Sequence, residues 1–174
     1  MFEFPLSLNF MMNLNKIKIG ITFVLISSIS CISEGGFTHY ESVAKEGLSP
    51  KPVVFKIPPS ALKENPQNLF IRIRNNTEYE FSNIFLIAIL KSGDQQVLQD
   101  TLEYAMAAPD GSWLGTGFTG LKESKLWWKK GIKIPTKRPV QIEISQAIRV
   151  NGSANGVSEL KGIVSVGISI EDQE

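Results

Sequence analysis

The sequence predicts an all-β protein whose main domain is an antiparallel β-sandwich, either jelly-roll-like or immunoglobulin-like. Apolar residues alternate with polar ones through most of the chain, and Gly, Pro, Asn and Asp clusters separate the alternating stretches. No window of fifteen residues has the apolar spacing of a convincing amphipathic helix. Many short strands with few helices favour two packed sheets. The 174 residues leave room for a single domain and a short extra segment.

The N-terminal segment has the order of a bacterial lipoprotein signal peptide. A short basic stretch at 13–18 precedes an apolar run at 19–30, which is too short to span a bilayer comfortably, and Cys31 follows directly after Ser30. Lipoprotein processing cuts before such a cysteine, whose sulfur carries the lipid. We therefore predict a signal peptide at 1–30, with Met11 or Met12 as the true start, and lipidation at Cys31. A buried free cysteine is the alternative.

Residues 31–36 predict a flexible tether and residues 37–174 the β-sandwich domain. Period-two alternation predicts strands at 53–57, 69–74, 140–145 and 164–170, each with one buried face and one wet face. The stretch 83–90 is apolar on both faces, which predicts a central strand with a covered outer face or one that crosses under a loop. Stretches 97–104 and 126–134 complete a set of roughly seven to nine strands.

Composition excludes several function classes. The chain has 18 basic and 17 acidic residues, so no basic excess favours nucleic-acid binding. One cysteine and one histidine exclude a disulfide framework and Cys-rich or multi-His metal sites. We expect no metal, no cofactor and no small-molecule ligand. Beyond residue 30 the basic and acidic residues are equal in number, which predicts that acyl chains rather than charge hold the domain on a membrane.

Three tryptophans are the most suggestive side chains, because indole rings on β-sandwiches can stack on sugars or contact proteins. Trp127 and Trp128 are adjacent, so on a strand they point to opposite faces, one towards the core and the other outwards. Trp113 lies in a glycine-rich segment together with Phe118. Core or loop packing is the simpler interpretation of all four residues, and a partner or glycan contact is the functional one.

The glycine-rich segment 111–120 is predicted to be a packed loop pinned by Trp113, Leu114 and Phe118. It lacks the Gly-Lys-Ser/Thr ending of a phosphate-binding loop, and no helical pattern follows it. A long packed loop often carries function, so we rank it first for partner contact.

Charged residues give no catalytic pair. Asp100 and Glu103 differ by an odd offset and should face opposite sides of a strand, whereas a glycosidase needs two carboxyl groups across one cleft. The sequence therefore predicts a protein that is not an enzyme. Five lysines between residues 122 and 133 indicate a solvated edge strand that lysine protects from aggregation, or a docking patch for an acidic partner.

Several stretches of the chain carry a family resemblance through their order and spacing. They are Asn68-Leu69-Phe70-Ile71, Arg74-Asn75-Asn76, Tyr79, Phe81-Ser82-Asn83-Ile84-Phe85-Leu86, Asp100-Thr101-Leu102-Glu103-Tyr104, Met106-Ala107, Pro109-Asp110-Gly111, Trp113-Leu114-Gly115-Thr116-Gly117-Phe118, Lys122-Glu123, Leu126-Trp127, Gln146-Ala147, Gly156-Val157 and Gly162-Ile163. Together, over about residues 37–171, they resemble the gliding motility lipoprotein GldH family.

The resemblance implies an outer-membrane lipoprotein needed for gliding, in bacteria whose motility machinery is linked to type 9 secretion. It implies no catalytic residues, and it gives Cys31 the role of lipid attachment site. The implied partners are the membrane, through N-terminal acyl chains, and other gliding or secretion proteins of the envelope. Thr101 follows Asp100 in a pattern used for O-glycosylation in related bacteria, although so short a pattern is also frequent by chance.

Two alternatives stay open at this point. Only one acidic residue closely follows Cys31, which favours the periplasmic face of the outer membrane over the cell surface. A surface lipoprotein that binds carbohydrate is the second interpretation of the function, and it would require an exposed tryptophan beside polar groups in a groove.

Overall fold

The computed structural model describes residues 36–149 and 156–173, and these form two four-stranded antiparallel sheets packed as a sandwich. The strands are β1 (Gly36–Ser42), β2 (Val53–Ile57), β3 (Gln67–Asn75), β4 (Asn83–Ser92), β5 (Gln95–Ala105), β6 (Lys122–Ile132), β7 (Val140–Gln146) and β8 (Ile163–Asp172). A 3₁₀ turn at Pro59–Ala61 is the one helical element in this part of the chain.

The strand order identifies the sandwich as a jelly roll. The first sheet has the order β1-β8-β3-β6 and the second the order β2-β7-β4-β5. Except for the β4–β5 hairpin, successive strands pass from one sheet to the other, as in the eight-stranded jelly-roll arrangement. The predicted all-β sandwich is confirmed, and of its two forms the structure has the jelly roll.

Alternate residues of the strands point between the sheets and form one core. The largest contributions come from aliphatic and aromatic side chains that water barely reaches, each worth about 1.5–3 kcal/mol when fully buried. They include Phe55, Leu69, Ile71, Ile73, Ile84, Leu86, Leu90, Trp128, Ile142, Ile144, Val166, Ile168 and Ile170.

Strand β4 is central in the second sheet, as its apolar sequence predicts, but its outer face is only half-covered. Ile84, Leu86 and Leu90 are fully buried between the sheets, whereas Phe85 and Ile87 on the outer face are of intermediate exposure. The predicted covered outer face is therefore only partly present.

Strand β1 was not predicted by alternation, and it begins at Gly36, the last residue of the predicted tether. It pairs with β8 along its whole length, from Gly36 opposite Glu171 to Ser42 opposite Ser165. Its one apolar side chain that packs against the core is Phe37, and His39 contacts Phe55 beside it, so the stretch lacks the apolar repeat of the inner strands.

The sandwich has two ends that matter for function. At what we call the proximal end lie Gly36, the connections 58–66, 93–94 and 133–139, and the end of β8 at Asp172. At the opposite, distal end lie the connections 43–52, 76–82 and 106–121, with 147–149 and 156–162. The first strand therefore begins, and the last strand ends, at the proximal end.

Candidate contact surface

The outer face of the first sheet carries a polar network centred on Glu123. One carboxylate oxygen, Oε1, accepts hydrogen bonds from the Tyr40 hydroxyl at 2.6 Å and from Arg72 Nη1 at 2.8 Å. The other, Oε2, accepts from Arg74 Nε at 2.8 Å. The Arg74 guanidinium also lies 3.8 Å from the centre of the Tyr40 ring, in cation–π geometry. Strand alternation and register bring these four residues of β1, β3 and β6 together.

Small residues on β8 make room for this network. A Cβ on Gly167 would lie 2.5 Å from Tyr40 Cδ1, so the glycine lets the ring lie across the strand. Next to it, Ser169 Oγ accepts a hydrogen bond from Arg72 Nε at 2.5 Å and lies 2.9 Å from Thr38 Oγ1. The prediction that one face of β8 is exposed to water is therefore wrong. Ser169 is completely buried because longer side chains cover it.

Burial and hydrogen bonding shift the acid–base behaviour of the two central groups in opposite directions. Burial raises the pKa of Tyr40, and its hydrogen bond to the Glu123 carboxylate adds to the rise. Burial alone would also raise the pKa of Glu123, but hydrogen bonds from Tyr40, Arg74 and Arg72 outweigh it and lower that pKa. The network is therefore built around a carboxylate that is charged and a phenol that is neutral near pH 7.

Beside the network lies an aromatic patch that is partly open to solvent. Trp127 is 53% exposed, and its ring centre lies 4.2 Å from that of Phe70. Lys125 Nζ lies 4.1 Å from the Phe70 ring centre and forms an ion pair with Glu171 at 2.7 Å. Exposed tryptophan next to cationic groups is typical of surfaces that contact proteins or glycans.

The two adjacent tryptophans lie on opposite faces of β6, as their spacing predicts. Trp128 is 6% exposed and belongs to the core. Its indole Nε1 donates a hydrogen bond to Asp100 Oδ2 at 2.9 Å, and Lys129 Nζ pairs with the same carboxylate at 3.2 Å. These contacts join β6 to β5, the edge strands of the two sheets, across what we call the open side of the sandwich, where the sheets share no backbone pairing.

The same open side is closed further by Tyr104, whose hydroxyl donates to the Trp127 carbonyl oxygen. Burial, with the charge of Asp100, raises the pKa of Tyr104 to about 12. Strand β6 is an edge strand of the first sheet, as the lysine-rich sequence predicts. Asp100 is half-buried and faces inwards, while Glu103 is exposed on the other face of β5.

The glycine-rich loop is held by its backbone and by Trp113, but not by the other two side chains that were predicted to pin it. Thr116 and Glu123 exchange backbone hydrogen bonds of 2.9 and 2.7 Å. Trp113 is half-buried, with its ring centre 6.1 Å from that of Tyr79. Leu114 is 57% exposed and Phe118 is 90% exposed, so pinning by these two residues is wrong. A backbone ladder needs no buried side chain, which leaves both free to project.

An open cavity of about 400 Å³ connects this loop to the network. Leu114 and Thr116 line one side, and Arg72, Glu123 and Lys125 line the other. The loop tip, the cavity and the aromatic patch together form what we call the contact surface. Sequence reasoning identified Trp127 and Phe118 but missed Tyr40 and both arginines, for which the spacing of Arg72 and Arg74 on one strand face was the available signal.

Of the remaining predicted sites, the structure describes Thr101, which lies apart from this surface. Thr101 is exposed on the outer face of β5, where its O-glycosylation stays a prediction. Cys31 and the segments 1–30 and 31–35 lie outside the described residues. In the described ranges, no three His, Cys, Asp or Glu side chains are grouped to hold a metal ion. Nor does this part of the chain contain a helix with the length and apolar character to cross a membrane.

Comparison with known proteins identifies the family. Residues 37–170 match the model of the GldH lipoprotein family. The gliding motility lipoprotein GldH homolog of Christiangramia forsetii is 40% identical over 152 residues, covering 87% of this chain and 93% of that protein. The gliding motility lipoprotein GldH of Flavobacterium johnsoniae is 39% identical over 146 residues, covering 83% and 89%.

Among solved structures, one of infectious bursal disease virus, Gx strain, has a chain that matches with a TM-score of 0.24 and 13% identity, covering 78% of this chain and 31% of that one. The assignment rests on the sequence relatives, which also confirm the expectation of a non-catalytic protein. The chain belongs to the GldH lipoprotein family.

Proposed function

We propose that this chain is a lipid-anchored contact subunit of the gliding machinery and of the type 9 secretion apparatus linked to it. Family membership supports the motility role. The observation that carries the contact role is Phe118, an aromatic side chain 90% exposed on a loop that backbone hydrogen bonds hold in place. A side chain of this size in water favours burial against another surface.

The proposed anchor is acylation at Cys31, which holds the domain on the periplasmic face of the outer membrane. The basic, apolar, small and cysteine order of residues 13–31 supports it. Two or three acyl chains hold a protein on a bilayer for long times, since each buried CH₂ contributes about 0.8 kcal/mol. Confinement to the membrane then raises the effective concentration of the domain near membrane-bound partners.

The anchor is tested in a strain that lacks the chromosomal gene and carries Cys31→Ser. We expect the variant to leave the membrane fraction and to lose spreading, because no acyl chain can be attached. Separation of inner and outer membranes assigns the wild-type chain, and proteolysis of intact cells assigns its face. Spreading at wild-type rate by Cys31→Ser cells would refute the anchor.

The contact surface is tested by a photo-crosslinking amino acid at position 118. Val54 provides the matched control, since it is 44% exposed on the outer face of the second sheet. We expect a crosslinked envelope protein from position 118 and none from position 54. Phe118→Ser should also reduce spreading while leaving the melting temperature unchanged, because the ring makes few contacts within the domain. Equal crosslinking from both positions would contradict this assignment.

Carbohydrate binding is the second candidate, favoured by the half-exposed Trp127 ring beside Lys125 and the cavity. Binding to a panel of polysaccharides that is lost in Trp127→Ala, and kept in Phe118→Ser, would support it. No binding across the panel would remove this candidate and leave the protein contact.

A further inference from the structure

We propose that the proximal end of the sandwich docks on the anionic lipid headgroups of the membrane that carries the anchor. This inference rests on the lipid anchor of the proposed function. It concerns a second, electrostatic contact, which fixes how the domain is oriented on the bilayer. Its basis is an uneven distribution of charge that the balanced composition conceals.

Exposed cations are concentrated at the proximal end. Five exposed lysine and arginine residues at this end form no ion pair with another described residue. They are Lys56, Lys130, Lys133, Lys137 and Arg138. Among the described residues, the exposed carboxylates outside ion pairs at this end are Glu64 and Asp94, because Asp172 is paired with Lys63 at 2.5 Å. The described part of the proximal end therefore carries an excess of positive charge.

The distal end has no such excess of positive charge. Carboxylates in its connections outnumber cations by one, all of these residues are exposed, and Lys122 at the distal start of β6 makes the two signs equal. The acidic residues are Glu46, Glu78, Glu80, Asp110 and Glu159, and the basic residues are Lys45, Lys51, Arg149 and Lys161. A zero net charge predicts no attraction to anionic lipids only when the charges are evenly mixed. Here the unpaired positive charge is concentrated at one end of the strands.

The positive end is also the end that the anchor brings to the membrane. Strand β1 begins there at Gly36, and the segment that carries Cys31 joins the domain at that residue. Near the surface of an anionic bilayer, each Lys or Arg is attracted, and the attraction decays over a Debye length of about 8–10 Å. The strands separate the two ends by roughly 25–30 Å at about 3.3 Å per residue. The proximal cations therefore feel the surface, and the distal carboxylates do not.

The cations also border a recess rather than a smooth face. An open cavity of about 610 Å³ is lined by Lys137, Arg138 and Thr136, by Gln95 and Gln96 of β5, and by one carboxylate, that of Glu64; Val97, Ile134 and Pro135 give it an apolar part. A space of this size admits a lipid headgroup, and its lysine, arginine, threonine and glutamine side chains can donate hydrogen bonds to phosphate. With this end on the bilayer, the loop that carries Phe118 projects away from the membrane towards its partner.

The test uses the full-length, acylated protein in vesicles. Cys31 is the one cysteine in the chain, so in the acylated protein a cysteine introduced by Thr136→Cys is the single free thiol for a fluorophore. Acylation is verified by intact mass. Vesicles are phosphatidylcholine with or without phosphatidylglycerol, and both contain a headgroup spin label that quenches nearby fluorophores. Ser158→Cys, exposed at the distal end, provides the control position.

We expect quenching at position 136 to be at least about twofold greater in phosphatidylglycerol vesicles, and to fall as salt is added. Position 158 should show no such difference. A triple variant of Lys133, Lys137 and Arg138 to Glu should abolish the effect. The matched triple variant of Lys45, Arg149 and Lys161 to Glu carries the same change of charge at the distal end and should leave the effect intact.

The outcomes separate this inference from the function on which it rests. An acylated, vesicle-bound protein with equal quenching in both vesicle types would overturn the docking and leave the anchor standing. A chain without acyl mass that stays in solution would overturn both. Equal loss of quenching in the two triple variants would show a general effect of charge and would overturn the assignment to the proximal end.

Discussion

Gly167→Ala should destabilise the domain by displacing the Tyr40 ring. The new Cβ would lie 2.5 Å from Cδ1 and 2.8 Å from Cε1 of that ring, so the ring must move away from β8. This breaks the hydrogen bond to the Glu123 carboxylate, worth about 1.5–3 kcal/mol, and the contact with Arg74, worth about 0.5–1 kcal/mol. Alanine in a strand regains about 0.5–1 kcal/mol relative to glycine. The expected net loss is about 2 kcal/mol.

Urea and thermal unfolding, followed by circular dichroism, measure this loss. The melting temperature should fall by about 4–8 °C, at 2–4 °C per kcal/mol for a domain of roughly this size. Gly156→Ala is the control and should change stability by less than about 0.5 kcal/mol, since among the described residues its Cβ would meet only a backbone oxygen, that of Ile148, at 3.4 Å.

A double-mutant cycle isolates the role of the ring. In a Tyr40→Ala background there is no ring to displace, so Gly167→Ala should cost at least about 1 kcal/mol less than in the wild type. If the cost is the same in both backgrounds, the ring is not what excludes a side chain here. The backbone oxygen of His39, which would lie 2.9 Å from the new Cβ, would then be the cause.

Three further predictions concern stability. Asp100→Ala should lower the free energy of unfolding by about 1–3 kcal/mol, because it leaves the Trp128 indole N–H without its acceptor; Asp100→Asn, which keeps an acceptor oxygen, should cost clearly less in the same urea titration. All three tyrosines have raised pKa values in the folded domain, that of Tyr104 to about 12. The contribution of these neutral phenols to the free energy of unfolding is therefore complete below pH 10, and it is lost as the pH rises through the folded pKa. Tyrosinate absorbance should therefore remain low at pH 10 and rise together with unfolding, whereas a normal titration near pH 10 would contradict the burial. Gly162→Ala should prevent correct folding, since its Cβ would overlap the Tyr79 backbone nitrogen at a φ of +78°, and a soluble variant with unchanged melting temperature would count against this close approach.

Strands with an apolar face were predictable because burial between two sheets enforces a period of two. β2, β3, β7 and β8 were found in this way, and β4 was recognised as central from its continuous apolar run. β1 was not, because its pairing with β8 depends mainly on backbone hydrogen bonds, which any sequence can make.

The candidate surface shows a different limit of sequence reasoning. Ser169 and Gly167 looked like residues of a wet face because they are small and polar or lack a side chain. In the structure they are small because Tyr40 and Arg72 lie over them. One sequence does not distinguish these two reasons. Phe118, in turn, was expected to anchor its loop. Backbone hydrogen bonds hold that loop, so no buried side chain is needed there.

The placement of β1 has a mechanical consequence for a motility protein. A pull between the membrane and a partner on the distal loop would act along the length of this strand, since Gly36 and the loop lie at opposite ends of the sandwich. The hydrogen bonds between β1 and β8 would then be loaded together in shear, instead of being unzipped one after another. Separation of β1 from β8 then requires many hydrogen bonds to break at the same time. The domain should therefore carry tension without unfolding from its N-terminus.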